Sequence, residues 1–177
     1  MAWKAKPSGT MSIPRRDTPW ITDAMEKDIR GTIMPRYAES TGAIMPSLHA
    51  IQHEHGHIAY QAMIELATIL ELKPADILDT ASFYEEFHLE PVGDCVIAVC
   101  QSVACEMCGH QALVDYVRNR LDIEPHETTQ DGKFTLLTLE CLGACDTAPC
   151  ALINDDRFDN LTLEQLGHIL DGEHGTS

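Results

Sequence analysis

Three kinds of nucleotide-binding or hydrolytic motif are missing from this sequence of 177 residues. It contains no GxGxxG fingerprint of a dinucleotide-binding fold, no phosphate-binding GxxxxGK loop and no GxSxG nucleophile motif. We therefore expect the chain to bind neither a pyridine nucleotide nor a flavin by itself. A run of about eighteen apolar residues is also missing, so we expect no direct insertion into a membrane.

Basic residues are scarce as well. The sequence has 12 Lys and Arg side chains against 28 Asp and Glu, which gives a formal net charge of −16. Such a charge repels nucleic acid and anionic lipid surfaces, and it favours a basic protein surface as partner. Because 44% of the residues are hydrophobic, the chain has enough apolar material for a globular core.

The cysteines are concentrated in one stretch, between Cys95 and Cys150, and there are seven of them. An odd number without an apolar signal segment at the start disfavours a secreted disulfide framework. We expect thiols that are reduced or metal-bound, in a cytoplasmic protein.

Four of these cysteines form two close pairs, Cys100-x4-Cys105 and Cys141-x3-Cys145, and each pair follows a strand-like apolar run. Four soft thiolates at two neighbouring strand ends match the needs of a [2Fe-2S] cluster, in which each iron has two protein ligands. We expect Gly143 to permit the tight turn between the ligands of the second pair.

Three other interpretations use the same residues. Cys100, Cys105, Cys108 and Cys141 satisfy the spacing of plant-type ferredoxins, which leaves Cys145 unused. Cys105-x-x-Cys108 has the form of a thiol–disulfide exchange motif, with Cys105 as the attacking thiolate. The two pairs are also compatible with a structural zinc site, although zinc sites favour the shorter C-x2-C spacing. In the preferred assignment, Cys95 and Cys150 are small buried strand residues.

The chain resembles the small iron–sulfur subunit of the NADH-oxidising module of respiratory complex I, a family shared with NAD-linked hydrogenases and formate dehydrogenases. The resemblance extends from about residue 44 to 170. It rests on three motifs: Val99-Cys100-x4-Cys105, Glu140-Cys141-Leu-Gly-Ala-Cys145-x3-Pro149 and Ala81-Ser-Phe83-Tyr84. It implies an α/β fold, in which a helical N-terminal part precedes a thioredoxin-like ferredoxin domain. By motif, it implies that Cys100, Cys105, Cys141 and Cys145 hold one [2Fe-2S] cluster.

The resemblance also implies a function as an electron-transfer subunit of an NADH:quinone oxidoreductase, without catalysis by the chain alone. FMN and NAD(H) are then expected on a partner flavoprotein subunit, and further iron–sulfur subunits are expected in the same complex. An NAD-linked hydrogenase or formate dehydrogenase is the alternative host. Through such a complex, the chain would lie peripherally on the cytoplasmic face of the inner membrane.

Patterning along the chain predicts three segments: an N-terminal arm over residues 1–20, a helical domain over 21–90 and the thioredoxin-like domain over 91–177. A first short helix is predicted from Ile21 to Arg30, with Gly31 ending it. Two further helices are predicted within residues 44–71, and another begins at Pro74. The second half has the order strand, helix, strands, helix.

Two groups of side chains in the helical segment have competing interpretations. Phe83 and Tyr84 are expected to be core residues and not part of a cofactor site, since aromatic side chains contribute much of a protein core. The resemblance implies that they lie near the junction of the helical part and the ferredoxin domain, so we expect them to pack beside the cluster and insulate it. His49, His53 and His57 recur every four residues, so a continuous helix would present three imidazoles to a divalent metal. Because Gly56 interrupts that helix, we favour the interpretation without a metal.

Overall fold

The computed structural model describes residues 15–172. Its contacts divide the chain into two compact units, with the division between Pro91 and Val92. Most of the predicted arm, residues 1–14, lies outside the described residues. The bounds of the three predicted segments stay predictions.

The regular structure of the first unit is helical over its described residues, 15–91. This part contains four α-helices and three shorter turns of π- or 3₁₀-helix: α1 (Asp23–Asp28), the π-helical turn Ile29–Ile33, the 3₁₀ turns Met34–Arg36 and Ser40–Ala43, α2 (Ile44–His55), α3 (Tyr60–Leu70) and α4 (Pro74–Phe83). Thr22 caps α1, since its side chain accepts a hydrogen bond from the N–H of Met25 at 3.3 Å.

The prediction that Gly31 ends the first helix is wrong. Gly31 lies inside the π-helical turn, which leads directly into the next 3₁₀ turn. Ile29 and Ile33, at the two ends of this turn, are both buried in the core of the unit. We attribute the continuation to their packing, because the burial of two large apolar side chains outweighs the low helix propensity of one glycine.

The core of this unit comes from the apolar faces of α2, α3 and α4. Leu48, Ile51 and Leu70 are completely buried, as the three- and four-residue spacing predicts, and Leu66 is completely buried beside them. Pro74 occupies the start of α4, as expected.

The second unit is a sheet with helices. Its elements are β1 (Cys95–Cys100), α5 (Val103–Met107), α6 (His110–Leu121), β2 (Glu127–Thr128), β3 (Phe134–Leu139), the 3₁₀ turn Cys145–Thr147, β4 (Ala151–Ile153), β5 (Asp156–Phe158) and α7 (Leu163–Leu170). The strand order is β2-β3-β1-β4-β5, and β1 runs parallel to β3 and antiparallel to β4. The predicted fold class, a helical part followed by an α/β domain, is confirmed.

Apolar residues of β1 and β3 form the core of the second unit together with residues of α6 and α7. Ile97, Leu136, Val117 and Leu166 are completely buried within one cluster. Alternate residues of a strand point to opposite faces of the sheet, so a shift of one residue would turn the buried side chains of β1 to the other face. The burial of these side chains therefore fixes the register of β1, the central strand. Within residues 15–172, no helix has the length and apolar character to cross a membrane.

Candidate metal centre

The two cysteine pairs begin at the same edge of the sheet. Because β1 and β3 are parallel and Cys100 pairs with Leu139, the loop after each strand leaves the sheet on the same side. Two hydrogen bonds join these loops: Gln101 N–H donates to the Leu139 carbonyl at 2.8 Å, and the Gln101 side chain donates to Glu140 Oε1 at 3.0 Å. The structure therefore places the two pairs at neighbouring strand ends, as the sequence predicts.

Three buried sulfur atoms lie together at this edge. The Sγ atoms of Cys100, Cys105 and Cys150 are all within 4.8 Å of one another, and the three residues are at most 2% exposed. Cys105 Sγ and Cys150 Sγ are 3.8 Å apart. Cys105 lies on α5, whereas Cys150 immediately precedes β4. The first predicted pair is thus brought together, with a third thiol that the sequence did not assign to the site.

The surroundings of Cys100 favour its thiolate. Burial raises the pKa of Cys100. Against this, the backbone N–H groups of Ser102 and Leu142 donate hydrogen bonds to its sulfur, and hydrogen bonds with the thiols of Cys105 and Cys150 lower the pKa further. The net result is a lowered pKa. Burial raises the pKa of Cys105, and it raises the pKa of Cys150 to about 12. The three buried thiols therefore differ: the pKa of Cys100 is lowered, whereas the pKa values of Cys105 and Cys150 are raised.

The second predicted pair lies on the exposed side of the loops. Cys141 and Cys145 are both exposed, unlike the first pair. The pKa of Cys145 is raised chiefly by a hydrogen bond with the Cys141 side chain, and the charges of Cys141 and Cys100 also contribute, so the Cys145 sulfur lies close to Cys141. Gly143, between them, has a φ of +73°, as the predicted tight turn requires. The assignment of the four ligands stays a prediction.

Cys108 differs from the thiols of the site. It is exposed at the end of α5 and does not belong to the group of three buried sulfurs. The thiol–disulfide exchange interpretation needs Cys105 to be an accessible thiol with a lowered pKa. Cys105 is 1% exposed and its pKa is raised by burial, so it has neither property.

Two histidines of α2, His49 and His55, are engaged in other contacts. The helix ends at His55, so His57 lies beyond it, as the interruption at Gly56 predicts. His55 Nε2 lies 2.7 Å from the Trp20 carbonyl oxygen, and the His49 ring packs on Phe87 with centroids 4.9 Å apart. Among the residues the structure describes, the buried cysteines form the only group of three or more side chains placed to hold a metal ion.

The aromatic pair of the helical unit is not part of a buried core. Phe83 is 78% exposed and Tyr84 is 41% exposed, whereas Phe87 is only 6% exposed. The prediction that Phe83 and Tyr84 are core residues is wrong, and the prediction that they pack beside the cluster stays a prediction. Phe83 is the last residue of α4 and Tyr84 follows it, so their rings leave the helix end together in an edge-to-face pair at 5.0 Å.

The donor set fits an iron–sulfur cluster. Thiolates are the soft ligands that such clusters require, and here both pairs lie in the segments that begin at the ends of β1 and β3, at one edge of the sheet. The backbone N–H groups that point at Cys100 also suit a site with excess negative charge, since N–H donors to ligand sulfurs are the usual surroundings of protein-bound clusters.

Comparisons with known proteins agree on one family. The model of the thioredoxin-like [2Fe-2S] ferredoxin family matches residues 31–173. An NADH-quinone oxidoreductase subunit of Rhizobium meliloti is 41% identical over 136 residues, which cover 77% of this chain and 81% of that protein. An NADH-quinone oxidoreductase subunit of Thermus thermophilus is 36% identical over 131 residues, covering 73% of this chain and 72% of that protein.

A solved structure is similar in fold. An NAD⁺-reducing [NiFe]-hydrogenase in the air-oxidised state matches with a TM-score of 0.63 and 28% identity. The match covers 71% of this chain but only 22% of the hydrogenase chain, so the similarity concerns a part of that larger protein.

Proposed function

Because the chain belongs to the thioredoxin-like [2Fe-2S] ferredoxin family, we propose that it is the electron-transfer subunit of the NADH-oxidising module of an NADH:quinone oxidoreductase. The observation that carries this proposal is the start of both cysteine pairs at the ends of two adjacent parallel strands, in a chain whose relatives are named as subunits of that enzyme. The proposed ligands are Cys100, Cys105, Cys141 and Cys145. The cluster, when bound, supplies a centre that accepts and releases one electron at a time.

The residues of the chain give the two halves of this site different roles. Cys100 and Cys105 are buried, and the N–H groups of Ser102 and Leu142 offset the negative charge at Cys100. The exposed thiols belong to Cys141 and Cys145. The site therefore reaches the surface of its unit on one side, as electron exchange with another protein requires.

We propose a flavoprotein subunit as the direct partner, with FMN and NAD(H) bound there and single electrons exchanged between the flavin and this chain. Two apolar side chains beside the site support a protein contact: Val103 and Met107 are 80% and 83% exposed on α5, the helix that carries Cys105. Exposed apolar side chains of this size commonly belong to protein interfaces. The helical residues 21–90 are proposed to add to the contact, and further iron–sulfur subunits complete the complex.

The host complex has one specific alternative. The structural similarity to an NAD⁺-reducing hydrogenase supports the same electron-transfer role in an NAD-linked hydrogenase or formate dehydrogenase. We favour the NADH:quinone oxidoreductase because the relatives of that name are more similar in sequence and are matched over most of their own length. In that host, the chain would lie at the cytoplasmic face of the inner membrane, held there by other subunits.

The test is to produce the chain alone and together with the flavoprotein subunit of the same organism. The chain alone should neither oxidise NADH nor bind FMN. The joint product should be a stable complex, in which NADH reduces the cluster only when FMN is present. NADH oxidation by the chain alone, or a flavoprotein that never co-purifies with it, would contradict the proposed division of labour.

A further inference from the structure

The thiol of Cys150 is not one of the four proposed ligands, yet it contacts one of them. Its sulfur lies 3.8 Å from Cys105 Sγ, within hydrogen-bond range for sulfur, and the residue is fully buried. The backbone N–H of Cys150 also donates a hydrogen bond to the Cys105 sulfur. One residue therefore offers Cys105 two donors.

The backbone holds Cys150 in this place. The Cys150 carbonyl accepts a hydrogen bond from the N–H of Cys100 at 3.1 Å, and the next residue, Ala151, pairs with Val99 where β4 joins β1. The sheet register therefore places residue 150 next to the proposed ligands.

We propose that Cys150 is a positioning residue, which donates an S–H hydrogen bond to the Cys105 sulfur and thereby raises the reduction potential of the bound cluster. The inference rests on the proposed function, since it needs Cys105 as an iron ligand. A sulfur bound to iron has no proton to donate, so in the loaded protein the donor must be Cys150. Donors to ligand sulfurs stabilise the reduced cluster, which has one more negative charge, more than the oxidised one.

The experiment measures the midpoint potential of the whole protein, loaded with iron and sulfide, by redox titration followed by electron paramagnetic resonance. Cys150→Ala and Cys150→Val remove the side-chain donor but keep the backbone N–H, and valine keeps most of the volume. Both should bind the cluster in wild-type amounts and shift the potential to more negative values. Cys150→Ser restores a donor, so its potential should return toward the wild-type value.

Cys95→Ala is the matched control, because Cys95 lies at the opposite end of β1 from Cys100 and outside the group of three sulfurs. Its potential should equal that of the wild type.

Equal potentials for Cys150→Ala, Cys150→Val and the wild type would overturn the inference and leave the proposed function intact. Loss of the cluster from both variants would also overturn it, since Cys150 would then be needed to hold the iron. A wild-type protein that binds no cluster would refute the proposed function itself.

Discussion

Replacement of Gly143 by alanine should weaken cluster binding without any steric clash. The φ of Gly143 is +73°, and a Cβ atom added there would have nothing within 4 Å, so the cost of alanine comes from the backbone alone. A non-glycine residue in the left-handed region costs about 1–2 kcal/mol. Because the loop must keep this conformation to present Cys141 and Cys145, the affinity for the cluster should fall by a factor of about 5 to 30.

Two further variants isolate the cause. Gly143→Asn should lose less affinity than Gly143→Ala, because asparagine tolerates the left-handed region better than alanine. Gly31→Ala is the matched control: its Cβ also meets nothing within 4 Å, but the φ of Gly31 is not positive. The assay follows the transfer of iron from anaerobically reconstituted protein to a chelator. Retention of iron by Gly143→Ala equal to that of the wild type would refute the reasoning.

Three other predictions concern the ligands, the partner contact and the stability of the second unit. Cys145→Ser should lose or strongly alter the absorption spectrum of the cluster while Cys108→Ser leaves it unchanged, and the reverse result would support the plant-type assignment. Joint replacement of Val103 and Met107 by serine should weaken binding of the flavoprotein at least about tenfold in a pull-down titration. The reason is that burial of one side chain of this size contributes about 1.5 kcal/mol or more to the binding free energy. Unchanged binding would place the contact elsewhere. Thr162 caps α7, since its Oγ1 accepts a hydrogen bond from the Gln165 N–H at 3.2 Å. Thr162→Ala should therefore lower the free energy of unfolding by about 1 kcal/mol in a urea titration, and no change would mean that the cap contributes nothing.

The parts of the site that local pattern decides could be predicted from the sequence. Apolar runs directly before Cys100 and Cys141 predict strands, and residues at the ends of adjacent parallel strands meet at one edge of the sheet. Gly143 in a short loop between two cysteines predicts a tight turn, and the structure has Gly143 at a φ of +73° there. Each of these predictions depends on residues within a few positions of the cysteine concerned.

The role of Cys150 could not be predicted in this way, because it depends on the order of the strands. Its sulfur meets that of Cys105 because β4 pairs with β1 in the register that joins Val99 to Ala151. A cysteine directly before a short strand is the only local signal. With β4 known to be the neighbour of β1, the same pairing would have placed residue 150 opposite Cys100.

The errors in the helical unit have a similar origin. Gly31 has the low helix propensity that normally ends a helix, but buried isoleucines on either side continue the helical turns through it. The aromatic character of Phe83 suggested burial, but its ring is 78% exposed at the end of α4. In both cases tertiary packing, which a local pattern does not contain, decides the outcome.

The most direct test of the central claim is a metal and sulfide analysis of the purified chain, combined with paramagnetic resonance. The protein is made with iron and sulfide available and is handled without oxygen. One [2Fe-2S] cluster predicts a coloured protein with about two irons and two acid-labile sulfides per chain, and a paramagnetic signal that appears on one-electron reduction. A colourless protein that contains stoichiometric zinc and gives no such signal would contradict the account.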